Sequence, residues 1–122
     1  MYGVPPDLDL LFLHEAELIQ VALGVNEVIF HFHPDATLTC SVDSWSLFDA
    51  QGVCIDRGIL FPRPPFQLHR LLGQRVIGTT VTAPRLVEVI FEGGDRLRAE
   101  DTSEQFESFT INAESPHRLI IV

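Results

Sequence analysis

Two stretches decide the fold: Val28-Ile29-Phe30-His31-Phe32-His33-Pro34-Asp35-Ala36-Thr37-Leu38 and Val87-Glu88-Val89-Ile90-Phe91-Glu92-Gly93-Gly94-Asp95-Arg96-Leu97. They carry one pattern 59 positions apart, with Val28, Phe30, Phe32 and Leu38 matched by Val87, Val89, Phe91 and Leu97. Residues two apart share a face of a strand. Each stretch therefore reads as strand, turn, strand with one apolar face; in the first copy Ile29, His31 and His33 take the other. Gly93-Gly94 signals a two-residue hairpin, since glycine accepts the positive φ of primed turns. Pro34-Asp35 fills the matching place, and because proline cannot take positive φ, that turn must be of another type.

The match extends outward. Ile19, Val21 and Leu23 correspond to Ile77, Thr79 and Val81, and Trp45-Ser46-Leu47 corresponds to Phe109-Thr110-Ile111 after a short insertion. Leu38, Cys40 and Val42 alternate inward, as do Leu97 and Ala99. Trp45 and Leu47 are expected to close the first copy, and Phe109 and Ile111 the second. The pattern predicts a mainly β chain of eight strands, nine if 117–122 pairs. Two similar antiparallel hairpin or meander halves, about 14–49 and 70–112, form one small sandwich or open barrel in a single domain over 1–122. The connector 50–69 holds Gly52, Gly58, Pro62, Pro64 and Pro65 and starts as loop. Gln67 to Gly73 supplies the one short helical turn, ended by glycine.

A chain of 122 residues, 46% of them hydrophobic, can bury a core without disulfide staples. Its 17 acids against eight arginines, and no lysine, give a net charge of −9. That balance disfavours a phosphate backbone as the main partner and suits a basic protein partner. No apolar run reaches the ~20 residues of a membrane span, and the N-terminus lacks the cationic start of a signal peptide. Cys40 and Cys54 lack zinc-ligand spacing, and Cys40 falls in an apolar alternation as a buried thiol. The expected protein is cytoplasmic, needs no cofactor, has no membrane or nucleic-acid partner, and is open to homodimerisation through an edge strand.

Charge is segregated along the chain. No acid lies between Asp56 and Glu88, where Arg57, Arg63, Arg70, Arg75 and Arg85 stand with His69. Three readings are open: the two regions pair on folding; an acidic surface meets a basic partner; or arginines grip an anion with the guanidinium fork. The acidic-surface reading uses Glu100, Asp101, Glu104 and Glu107, with Phe61, Phe66 and Tyr2 as aromatic anchors. The anion reading uses Arg63, Arg70, Arg75 and His69 for a nucleotide-like ligand, oriented by His31 or His33.

Catalytic sets are incomplete. His31 and His33 lie two apart on a strand, so their imidazoles can share a metal, with Asp35 as a third donor. The pattern stops there: Ala36 and Thr37 stand where metallo-hydrolase and cupin motifs need further ligands, and the second copy has Ile90 and Glu92. Two surface histidines are the simpler reading, so a metal-dependent enzyme ranks last. There is no Gly-x-Ser-x-Gly elbow, and Walker and dinucleotide-binding loops are also missing.

Leu72-Gly73-x-x-Val76 ahead of Val89-x-Phe91-x-x-Gly94-Asp95-x-Leu97, closed by Phe109-Thr110-Ile111, resembles small uncharacterised bacterial two-repeat β-rich proteins. By size, charge and class alone, that resemblance extends to immunity proteins of bacterial toxin systems. The resemblance carries over no function residue by residue. The incomplete catalytic sets, the −9 charge and the two-copy β frame give the leading expectation, a non-enzymatic interaction protein such as an immunity-type inhibitor or accessory subunit of a bacterial conflict system that binds a protein partner.

Overall fold

The computed structural model describes residues 3–58, 63–102, 108–114 and 117–122. The described residues form ten strands: β1 Glu17–Leu23, β2 Glu27–His33, β3 Ala36–Ser41, β4 Trp45–Phe48, β5 Cys54–Arg57, β6 Val76–Thr82, β7 Leu86–Phe91, β8 Arg96–Glu100, β9 Phe109–Glu114 and β10 His117–Ile121. Two 3-10 turns, Leu11–Leu13 and Leu68–Leu71, precede β1 and β6; the second is the turn expected within 67–73, and the first, in the N-terminal stretch read as loop, corrects the expectation of at most one. The strands build two antiparallel sheets packed face to face: sheet I runs β1-β2-β3-β9-β10 and sheet II runs β5-β4-β8-β7-β6. The mainly β sandwich of two similar halves is as expected, and no barrel closes.

The closing strands depart from expectation. Trp45 and Leu47 pair with Ala99 and Leu97 of the second copy, while Phe109 and Ile111 pair with Cys40 and Leu38 of the first. Each half therefore gives its first three strands to one sheet and its last two to the other. The register shows the equivalence: Val28↔Cys40 and Phe30↔Leu38 recur as Val87↔Ala99 and Val89↔Leu97. The bulge that skips Ile19 against β2 recurs at Ile77 against β7. Inward residues then interdigitate between the sheets, with Phe30, Leu38, Phe109 and Ile111 facing Val89, Leu97, Trp45 and Leu47, all buried. The equivalent Phe32 and Phe91 stack on each other, centroids 6.4 Å apart.

A reciprocal clasp ties the edge strands β1 and β6. Leu18 N donates to Gln74 O and Val76 N to Ala16 O; Glu15 N donates to Val76 O and Gly73 N to Leu18 O. The two partners of the central bridge are Glu17 and Arg75. Gly73 takes φ +83°, and its counterpart Glu15 takes φ +68°, the left-handed region that costs a non-glycine residue about 1–2 kcal/mol.

Three local readings are corrected. The first part of the connector is β5, held against β4 through Ser46↔Arg57 and Leu47↔Asp56. With β10 paired to β9, the count exceeds the eight or nine read from periodicity; a four-residue edge strand holding Asp56 and Arg57 shows little apolar alternation. The β7–β8 loop has three residues, Glu92 to Gly94, and only Gly94 takes positive φ, at +94°, the three-residue hairpin geometry. In the β2–β3 turn the His33–Pro34 peptide is cis.

Candidate interaction site

The strand exchange brings the two sheet-to-sheet crossings side by side. Ser41 N donates to Ser108 O at 2.9 Å, and Glu100 N to Ser44 O at 2.8 Å. The buried Ser44 hydroxyl is 2.6 Å from Ser108 O and 3.0 Å from Ser41 O. Ser108 Oγ donates to Asp101 Oδ1 at 3.1 Å and accepts from Thr102 N at 2.9 Å. The crossing thus fixes Asp43 and the end of β8 on one rim. Between that rim and β5 runs a groove of about 400 Å³ lined by Asp43, Ser44, Trp45, Ser46, Phe48, Cys54, Arg57, Gly58 and Glu100. Asp43 and Glu100 are exposed, Phe48 is half-buried, and Trp45 is buried. The indole Nε1 is buried and has no hydrogen-bond partner among the described residues.

Behind this groove Arg63, Arg70, Arg96 and Arg98 are paired with buried carboxylates. On the outer face of sheet II the Glu88 carboxylate takes Arg98 Nε at 2.7 Å and Arg96 Nη1 at 3.2 Å, and Arg98 lies 4.1 Å over the Phe48 ring. Beyond β5, Arg63 pairs with Asp56 and lies 3.6 Å over Phe66, whose ring stacks on Trp45. Asp56 also accepts from Arg57 N at 2.8 Å and Gln67 N at 2.7 Å. Arg70 meets the buried Asp95 at 3.0 Å. Pairing between the basic stretch and the acids therefore accounts for Arg63 and Arg70.

The anion-binding set is dispersed. Arg63 is buried beside Asp56, Arg70 faces Asp95, and His69 is exposed on the second 3-10 turn. Arg75 lines a separate cavity of about 430 Å³ by the clasp, with His14, Glu15, Ile77 and Glu92. His31 and His33 lie on the outer face of sheet I, opposite Gln20 and Glu17 in the register. Among the described residues no group of three or more His, Cys, Asp or Glu side chains converges to hold a metal. Of the partner-binding set, Glu100 lies on the groove, Asp101 takes the Ser108 hydroxyl, and Phe66 is half-buried under Arg63. Tyr2, Phe61, Glu104 and Glu107 lie outside the described residues. Cys40 is buried, and burial pushes its thiol well above the ordinary range; Cys54 is exposed, its Sγ 3.4 Å from Asp56 O.

Sequence reasoning missed Asp43 and Phe48. Their meeting with Glu100 follows from the exchange, which joins β4 to β8 across the chain, and no local pattern encodes it. Among the described residues no helix is long and apolar enough to cross a membrane. No protein-family model matches the chain, and comparison with curated proteins and solved structures gives no significant match.

Proposed function

We propose that this chain is a non-enzymatic binding protein that engages a basic protein partner through the groove between Asp43, Glu100 and β5. An immunity-type inhibitor or accessory subunit of a bacterial conflict system is the role this suits. One observation carries the reading: folding spends Arg63, Arg70, Arg96 and Arg98 on three buried carboxylates, while Asp43 and Glu100 stay exposed on a groove that the half-buried Phe48 and the exposed Arg57 also line. Acidic rims steer a cationic partner, and a partly exposed aromatic such as Phe48 adds contact area that holds it.

The test is capture from a lysate of the source cell, followed by affinity measurement with the purified partner. The wild-type chain should retain one partner in stoichiometric amount, with an association rate that falls as salt rises. Asp43→Lys with Glu100→Lys should weaken that complex by about 2 kcal/mol or more without lowering the unfolding midpoint. A partner bound equally well by the double variant, or no partner at all, would sink the reading.

A further inference from the structure

The four edge strands are treated unequally. β1 and β6 clasp each other, which leaves β5 and β10 at the opposite end of the two sheets. These two strands occupy equivalent places. β5 sets Asp56 against Leu47 and Arg57 against Ser46; β10 sets Ile120 against Ile111 and Ile121 against Thr110. Beyond them, Gly58 N donates to Trp45 O at 3.0 Å just as Val122 N donates to Phe109 O at 2.8 Å. Main-chain groups alternate in direction along an antiparallel ladder. Arg57 in β5, and Leu119 and Ile121 in β10, therefore turn theirs away from the sheet.

At β5 those groups are taken. Arg57 N donates to Asp56 Oδ1 at 2.8 Å, and Arg57 O accepts from Arg63 Nη1 at 3.0 Å. A charged pair on an edge strand blocks strand addition. At β10 the equivalent positions are isoleucines, Leu119 is 55% exposed, and among the described residues no side chain takes the outward groups of Leu119 or Ile121.

We propose that β10 is a pairing edge for a second copy of this chain, joining antiparallel about a two-fold axis at Ile120 to make one continuous ten-stranded sheet. Self-pairing fits the side chains. With Ile120 opposite its own copy, Leu119 meets Ile121 on the outer face and Ile120 meets Ile120 on the core side, all aliphatic cross-strand pairs. The two-fold continues the antiparallel order of sheet I. Each copy carries −9, so the contact is opposed by net repulsion and strengthens with salt.

Sedimentation of the full chain across a concentration series tests this, at low salt and at ~0.5 M. A monomer–dimer equilibrium favoured by salt is expected. Leu119→Pro removes only an outward N–H, and should weaken the dimer about tenfold or more while leaving the β9 ladder intact. Ile121→Lys, which keeps every main-chain donor, should do the same if the proline variant fails to fold. Val53→Lys, at the β4–β5 turn, should leave the dimer unchanged. A monomer at every concentration and salt overturns the proposal. So does a dimer indifferent to Ile121→Lys, which would place self-association elsewhere, and so does β10 pairing only with an added foreign peptide.

Discussion

Replacing Arg63 with alanine is expected to cost about 3–5 kcal/mol of folding stability, read as a fall in the urea midpoint at constant m value. The pair it breaks is buried on both sides, with side-chain exposures of 3% for Arg63 and 5% for Asp56. Removing the guanidinium leaves Asp56, among the described residues, with only the Arg57 and Gln67 main-chain donors and no salt-bridge partner. A buried carboxylate so stranded is far costlier than the pair was worth. The same change removes the cation over Phe66 and frees Arg57 O on the sheet edge. Pairing Arg63→Met with Asp56→Leu should recover most of the loss, because an apolar pair of similar volume avoids the desolvation. A single-variant loss below ~1 kcal/mol would mean the pair is solvated like an ordinary surface bridge.

Gly58→Ala should be comparably severe, at about 3 kcal/mol or more. A Cβ built there stands 1.7 Å from Val42 O and 2.7 Å from Trp45 Nε1, so the β3–β4 crossing or the indole must move. Both belong to the groove, and tryptophan fluorescence should shift with the stability loss. Gly52→Ala separates space from conformation. Gly52 has φ +82° with nothing within 4 Å of a new Cβ, and its cost should stay near ~1–2 kcal/mol. A Gly58→Ala cost no larger than that of Gly52→Ala would show that the β3–β4 crossing and the indole give way to the new Cβ, against the close approach argued here.

The inner faces were legible from sequence because burial repeats every second residue: Val28, Phe30 and Phe32 stand inward as read, and so do Val87, Val89 and Phe91. The partner of Trp45-Ser46-Leu47 was not. An alternating strand fits either copy's third strand, since Leu38 and Leu97 offer the same apolar neighbour. Only the chain path between sheets, which leaves sheet I at 42–44 and sheet II at 101–102, decides between them. β5 was hidden because Asp56 takes an inward place where β10 has Ile120, and an inward acid breaks the apolar period. The candidate groove was half visible. Glu100 was singled out for its charge, while Asp43, Trp45 and Phe48 join it only through the exchange. The basic stretch from Arg57 to Arg85 proved to be partly internal pairing.

The exchange is the claim on which the groove and the edge comparison both depend, and paired cysteines test it directly. Residues opposite each other on neighbouring strands have Cα atoms ~4.5–5.5 Å apart, within the range a disulfide spans. Thr39 of β3 faces Thr110 of β9; had each half kept its own closing strands, Thr110 would face Arg98, the partner Ser46 holds here. With Cys54 replaced by serine, the chain carrying Thr39→Cys and Thr110→Cys should oxidise to an intramolecular disulfide in the folded state. The chain carrying Arg98→Cys and Thr110→Cys should stay reduced. Ready closure of the second pair with none in the first would show unexchanged halves and contradict the account.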